Sequence, residues 1–524
     1  MTLTEKQLPR IVLTLLILLT LIAGIVTYLR PMAIFPDPSW GFQVMKAMEH
    51  GHGFNMKVVP DQQDINENYA EFLSWWSPGQ YLVPYVFRTL FHLNIGQASA
   101  VTILVCEILG LLGFYSFFRK AGFSRNISAI SIAFIASQLF YVSPYVFYNG
   151  GEVLLFGFMG WFLYGCLSFS KANDWRLLLF ILLSGLMGFC CKSSFMWMFG
   201  AALCFLWINI SLPEKKPVKW IVNGIWLGIP AVAAVAVIYL GYLSRGLTPA
   251  SGNNPLKLLW ETFGYPLASP LLSGFSIDEL TLGLLYHPDG PMFSYAVSVL
   301  IIVLLAALSV AIFIAILKKV PYQSYKTLLT VFYVAAVLFF GYSYLKQLAI
   351  SYEGRHFRII GLIFIPGVIY LVSRLKIGYR VLFGLLWAGL LIASLKYVST
   401  GYRVNRDENS HGVSGITQQF LDQKSLNTLI NLDRTHTNAI FVFTSPDLGL
   451  EVEHNRYITI DPVPVDLKYS LMDNLHCGHG GPLYIFLPAD CEGKRAETIL
   501  KCFEDYHNFK ETKITGDYIM YSAD

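Results

Sequence analysis

Long apolar runs alternate with short polar turns over most of the chain. Each run is long enough to cross a hydrocarbon core of about 30 Å as a helix. The runs predict spans near 11–29, 97–118, 127–147, 152–169, 175–191, 195–211, 220–243, 293–317, 326–345, 357–373 and 379–397. After about residue 398 the pattern changes. Short apolar runs, "NAIFVFTS" and "PLYIFLP", alternate with a helix-like stretch, "KRAETILKCFEDYHNF", the mark of a small α/β domain. The fold class read from this pattern is a polytopic α-helical membrane protein with about eleven transmembrane helices and a small C-terminal α/β domain. No internal repeat and no low-complexity segment interrupts it.

One stretch resists the pattern. "PGQYLVPYVFRTLFHL", 78–93, is apolar but short, and it holds Pro78, Pro84 and Arg88. Charge decides its placement, because basic residues in short loops mark the cytoplasmic side. The basic loops are "FRKAGFSR" (118–125), "SKANDWR" (170–176), "PEKKPVK" (213–219), "KKVPYQSYK" (318–326) and "SRLKIGYR" (373–380). With eleven spans and a cytoplasmic N-terminus all of them fall inside. Were 78–93 a span, all of them would move outside, so this stretch is read as lying on or dipping into the outer face.

Composition agrees. The chain of 524 residues is 55% hydrophobic and 14% charged, with mean hydropathy +0.51, whereas soluble domains carry about 25% charge. A net charge of +4 is too weak to imply nucleic acid. The first span is followed by Arg30-Pro31-Met32 rather than a small-residue cleavage site, so it reads as a retained anchor. Of eight cysteines, Cys106, Cys166, Cys190, Cys191 and Cys204 sit in or beside spans as packing residues. Cys477, Cys491 and Cys502 fall in the outward domain, an oxidising place where one disulfide is expected. The compact "HCGHGG" (476–481) lacks zinc-ligand spacing.

Three outward regions exceed simple turns: 30–96, 244–292 and everything after 398. In the first, "DPSWGFQVMKAMEHG" reads as an amphipathic helix starting at Ser39 or Trp40 and stopping at Gly51 or Gly53. Asp37 would cap it. The same carboxylate is tethered a few residues beyond the first span, at the height of a lipid head group. Glu152 occupies the short outward turn before the fourth span, and Lys192, in "GFCCKSSFMW", the outward turn between the fifth and sixth. A lysine there either snorkels to head groups or meets an anion. "SYEGRHFRIIGLIFIPG" (351–367) places Glu353, Arg355, His356 and Arg358 just before the tenth span, on the outside, against the positive-inside trend. Arginine has the fork geometry for phosphate oxygens. The loop therefore reads as a lipid phosphate or pyrophosphate site, or else as Glu353 ion-paired to Arg355 or Arg358.

The order of these features resembles the GT-C superfamily of polyprenyl-phosphate-sugar-dependent glycosyltransferases, such as the protein O-mannosyltransferases and lipid A aminoarabinose transferases. The resemblance covers about 1–398. It implies a GT-C-like transmembrane catalytic domain over 1–398, with outer loop 30–96 carrying interfacial helices and a mobile outer loop at 244–292; the soluble periplasmic α/β domain over 399–524 rests on the residue pattern alone. Asp37 matches the acid of the family's first outward loop, and Glu152 the second outward acid. "CCKSS" is similar to the turn whose lysine meets the carrier phosphate, and "EGRHFRIIGLIFIP" to an arginine-bearing segment before the tenth span. "WWSPGQYLVPY" (75–85) stands where the family has a Pro-Pro-Leu segment, but reads Ser77-Pro78-Gly79. Asp37-Pro38 is a single acid where many relatives have a pair, which leaves the acceptor class and any divalent metal open. In the mobile loop, His287 and Asp289 are read as surface residues that can approach the site.

The implied activity is an inverting transfer of a hexose or pentose from a polyprenyl-phosphate carrier to a lipid, glycan or protein acceptor at the outer face of a bacterial inner membrane. Asp37 and Glu152 would serve catalysis, while Lys192, Arg355, His356 and Arg358 would hold the donor phosphate. No cofactor is required by this reading, and a divalent metal is optional. Two rivals stand beside it: a transporter or flippase of a lipid-linked sugar, and a non-catalytic cell-envelope assembly subunit. Transporters show repeats and mid-membrane ionisable residues, whereas here the ionisable groups gather at outer span ends. The charge pattern yields a first prediction. A reporter fused after residue 400 should behave as exported, with the N-terminus cytoplasmic; a cytoplasmic signal there would overturn the placement of 78–93.

Overall fold

The computed structural model describes residues 7–34, 36–246, 254–285, 290 and 292–524. Among them, seven helices are long and apolar enough to cross a membrane: Gln7–Leu29, Ile95–Lys120, Pro217–Arg245, Tyr295–Lys319, Gln323–Leu345, Gly354–Ser373 and Ile377–Asp407. A bent pair, Arg125–Ala136 with Leu139–Tyr145, makes an eighth if it is one span, and three shorter apolar helices, Gly151–Cys166, Trp175–Cys191 and Phe195–Ser211, fall on the remaining runs that the sequence reading took as spans. The chain is a multi-pass membrane protein. Stretch 78–93 forms a helix of only 13 residues, Gly79–Phe91, too short for a membrane core of about 30 Å.

The third span breaks by 66° between its two helices. A break frees backbone and side-chain polar groups that lipid cannot satisfy. Here protein groups do so: Trp387 Nε1 donates to Ser137 Oγ and Ser394 Oγ to the Ser137 carbonyl, each at 2.7 Å. The Leu139 N–H donates to Ser276 Oγ at 3.0 Å, and that hydroxyl donates to Gln138 Oε1 at 2.8 Å.

The polypeptide divides into two compact units. One comprises Met1–Gly24, Ile103–Pro144 and Gly151–Ser399. Its core is aromatic and aliphatic, with Phe114, Phe117, Phe195, Phe205 and Tyr325 fully buried. The region 244–292, expected as a mobile loop, contributes a packed helix to this core. Helix Glu261–Gly274 lies against the eighth, ninth and tenth spans. Its buried Tyr265, Ala268, Leu271 and Leu272 form one apolar stripe, which Pro266 and Pro270 disguise in the sequence as loop composition. His287 and Asp289 lie outside the described residues.

The second unit comprises Ile25–Thr102, Tyr145–Gly150 and Thr400–Asp524. Residues 30–96, grouped with the spans in the sequence reading, thus cluster with the C-terminal residues. The tie combines strand pairing with a side-chain bond: Ala33–Ile34 pairs in parallel with Phe147–Tyr148 and with Thr417, and Lys46 Nζ donates to the Val452 carbonyl at 2.5 Å. Helix Pro36–Glu49 supplies that lysine and is ended by Gly51 in the left-handed region (φ 86°).

The C-terminal α/β domain is a five-stranded sheet in the order Lys510–Lys513, Tyr518–Ala523, Leu483–Pro488, Ile440–Phe443, Arg456–Thr459. The last three are mutually parallel, and the first two join antiparallel. Alternation along "IFVF" sends Phe441 and Phe443 to the face packed with Leu426 and Leu429 of helix Gln423–Thr435. Ile440 and Val442 face Ala496 and Ile499 of the short helix Lys494–Leu500. That helix stops earlier than its sequence suggested, because Cys502 accepts from the His476 N–H at 2.7 Å and Phe503 forms a bridge with the same residue. The expected disulfide is absent. All eight cysteines are free, with Cys491 and Cys502 buried as apolar members of the core.

The packed helix supplies a stability prediction. A Cβ added to Gly361 in the tenth span would sit 2.5 Å from the Cα and N of Gly274. Gly361→Val should therefore destabilise the detergent-purified protein by about 1–3 kcal/mol, read as a lower thermal midpoint. An unchanged midpoint would mean that helix Glu261–Gly274 leaves its seat freely.

Candidate functional site

The fourth, fifth and sixth spans have 16, 17 and 17 residues. Helices of that length rise about 24–26 Å, less than a hydrocarbon core of about 30 Å. Charges at their ends are therefore drawn toward apolar surroundings. Glu152 is the second residue of helix Gly151–Cys166, and Lys192 caps the end of helix Trp175–Cys191. A carboxylate at a helix start and an ammonium at a helix end both suit the helix dipole.

These two charges meet. Lys192 Nζ donates to Glu152 Oε1, and both side chains are largely buried, at 17% and 20% exposure. Arg355 Nη1 approaches the same Glu152 oxygen at 3.8 Å, and its Nε lies 2.5 Å from Glu353 Oε2. One carboxylate oxygen thus faces two cations. Burial pulls the Lys192 ammonium below the ordinary lysine range; Glu152 opposes that pull and Arg355 adds to it.

Arg358, at the start of the tenth span, pairs with Glu279 and stacks its guanidinium 4.2 Å above the Phe140 ring centroid. Its buried Nη1 has no hydrogen-bond partner among the described residues. Asp278, beside Glu279, accepts the Gly354 N–H at 2.7 Å. Burial, with the Glu279 charge beside it, pushes the Asp278 carboxyl from 3.8 up to about 7. His356 holds to its own loop, its Nε2 3.0 Å from Ser351 Oγ.

The structure therefore brings Glu152, Lys192 and Arg355 into one network and places Arg358 in a neighbouring pair. Of the two pairings open to Glu353, it adopts Arg355. Asp278 and Glu279 were missed by sequence reasoning. Their signal was an acidic pair in "SIDEL", 76 and 79 residues before their partners, inside a region read as loop. Glu107 was missed too. It is 2% exposed within the second span, and its Oε2 has no hydrogen-bond partner among the described residues.

Asp37 belongs to the other compact unit. Helix Pro36–Glu49 begins before it, so Asp37 sits half-buried in the first turn rather than at the cap. A carboxylate there still suits the helix dipole. Among the described residues no group of three or more His, Cys, Asp or Glu could hold a metal ion.

No family model matches the sequence, and no curated protein matches it. Solved structures do. Arabinofuranosyltransferase AftD from Mycobacteria superposes with TM-score 0.50 at 11% identity, over 98% of this chain and 39% of that one. ArnT from Cupriavidus metallidurans bound to undecaprenyl phosphate gives 0.47 at 12%, over 97% of each chain. Archaeal oligosaccharyltransferase AglB from Archaeoglobus fulgidus, with an inhibitory peptide and a dolichol-phosphate, gives 0.47 at 13%, over 98% of this chain and 74% of that one. The chain spans well under half of AftD. The likeness to AftD is one of fold.

Asp278 makes the site's stability pH-dependent in a defined direction. Its folded state holds a proton more tightly than the unfolded chain, so its contribution is present below about 4 and lost as pH rises through about 7. Asp278→Asn keeps an oxygen for the Gly354 N–H and cannot ionise. Thermal melts across that window should fall less steeply for the variant than for the native protein; parallel profiles would remove Asp278 from the titrating groups.

Proposed function

We propose that the chain is an inverting glycosyltransferase that takes a sugar from a polyprenyl-phosphate carrier and passes it to an acceptor at the outer face of a bacterial inner membrane. One observation carries this reading: Lys192 and Arg355 share a single oxygen of Glu152 at the ends of apolar helices. A fixed cation pair at such a place suits a phosphate attached to a lipid tail. The likeness of fold to the arabinofuranosyltransferase AftD supports the reading as architecture.

The chemistry assigns each group a task. An acceptor hydroxyl attacks the anomeric carbon while the bond from that carbon to the phosphate oxygen breaks on the opposite side. Charge grows on the departing phosphate, and Lys192 and Arg355 stabilise it there. Arg358 offers its unpartnered Nη1 to a second oxygen, with His356 in the same turn. Glu152 orients the two cations and keeps them paired while the site is empty. It is a positioning residue in this scheme, where the sequence reading had it serve catalysis beside Asp37. Asp37 takes the acceptor's proton, an assignment resting on its short tether to the first span. No step is assigned to a metal. The rival reading, transport of a lipid-linked sugar, draws on buried Glu107, since acids inside spans mark translocation paths.

Purified protein in lipid nanodiscs separates the two. With a polyprenyl-phosphate sugar, transfer or slow donor hydrolysis is expected. Lys192→Ala and Arg355→Ala should weaken donor binding, and Arg355→Lys should restore it only in part. Asp37→Asn should reduce turnover about 10²–10⁴-fold with donor binding kept. Movement of the intact donor across the bilayer without bond cleavage would establish the rival.

A further inference from the structure

The second compact unit contains a cleft that the transfer chemistry does not use. Its volume is about 860 Å³, within the range of about 300–1,000 Å³ typical of ligand sites. One wall is the hairpin Met56–Pro60 with Asn68–Phe72, paired so that Lys57 opposes Glu71 and Val59 opposes Tyr69. Alternation along the two strands turns these four side chains to the same face. The stretch after the hairpin adds Trp75 and Trp76, and Trp40 comes from helix Pro36–Glu49. The opposite wall runs from Ile458 to Asp461 and on to Asp473, Asn474 and His476.

Three properties of the lining narrow what it takes. The first is aromatic platforms. Tyr69 is 52% and Trp75 45% exposed, whereas Trp40 is capped by Lys57 Nζ at 3.9 Å. An exposed ring face carries negative quadrupolar charge and attracts polarised C–H groups. The second is a surplus of acceptors. Asp61, Glu71, Asp461 and Asp473 line the cleft against one amine, Lys57, which burial lowers to about 8. Carboxylates accept hydrogen bonds and donate none, so the ligand must be rich in donors, and a phosphate or polyanion would be repelled. The third is an unmet hydroxyl: Thr459 Oγ1 is buried without a partner among the described residues.

A peptide added as an extra strand does not fit as well. The sheet edge that borders the cleft, Arg456–Thr459, is already met by hairpin strand Met56–Pro60, and Arg456 Nη1 donates to the Ile65 carbonyl at 2.7 Å. We propose that this cleft binds a neutral, hydroxyl-rich glycan, several sugars long, with pyranose or furanose faces stacked on Tyr69 and Trp75 and hydroxyls donated to the carboxylates. As the acceptor strand of the transfer, this ligand rests on the glycosyltransferase reading above; binding itself does not.

The test uses the full chain in nanodiscs and a panel of linear neutral hexasaccharides of gluco-, manno-, galacto- and arabino- configuration. Tryptophan fluorescence and saturation-transfer NMR report binding. At least one should bind saturably, with little dependence on salt. Trp75→Ala and Tyr69→Ala, both at exposed positions, should each weaken it about tenfold or more, and Tyr69→Phe should retain it. Equal binding by the two alanine variants, no binding by any of the panel, or preference for a linear hexapeptide or an anionic hexasaccharide would each overturn the proposal. Polyprenyl phosphate binding is measured in the same preparations. Donor binding without glycan binding overturns this inference alone, and glycan binding without donor binding overturns the transferase reading alone.

Discussion

A short apolar helix cannot hold its terminal charge clear of the hydrocarbon, and a charge in that position must be matched. The three short spans put this constraint at one place. Glu152 and Lys192 close on each other, and either alone would be a buried ion without compensation. Arg355 then enters as a second cation on an oxygen already engaged. Glu353 and Glu279 balance the two arginines, and the Arg358 ring contact uses Phe140 from the bent third span. The turn 353–358 is therefore held from several sides before any ligand is present. A phosphate entering such a place exchanges one set of partners for another and meets little reorganisation.

The two compact units have different chemical characters. In one, charge is sparse, paired and surrounded by Phe and Leu. In the other, aromatic faces and carboxylates stand open to water over a cleft. The ionic leaving group and the neutral polyol proposed above would call for these opposite surroundings. The Asp433 carboxylate, by contrast, is wholly structural: it collects the N–H groups of Glu453, His454 and Asn455.

Much of the fold was legible because lipid imposes a coarse rule. Every long apolar run became a helix, the third with a break, since lipid leaves the backbone no other partner. The charges at 152, 192 and 355 were legible because ionisable residues at outer span ends are conspicuous. What was hidden depended on distance in sequence or on misleading local composition. Helix Glu261–Gly274 looked like loop because two prolines interrupt it, though its apolar stripe was present. Asp278 and Glu279 acquire meaning only beside Gly354 and Arg358. Residues 30–96 looked like an appendage of the first spans, while their backbone partners, Thr417 and Val452 among them, lie hundreds of positions later. The local reading made Asp37 the cap of a helix starting at Ser39 or Trp40; the helix starts one residue before it, at Pro36.

The broken third span has a consequence for how the chain is made. Synthesis delivers Ser137 and Gln138 to the bilayer long before Ser276, Trp387 and Ser394 exist. Until then these groups have only local partners, such as the Phe134 carbonyl that accepts from Ser137 Oγ and Gln138 Nε2, and the Leu139 N–H lacks its Ser276 hydroxyl. The third span thus waits for the chain as far as Ser394, 257 residues on, before its bonds are complete. A ribosome stalled midway would leave a nascent segment in the insertion machinery that is complete in sequence and unfinished in structure.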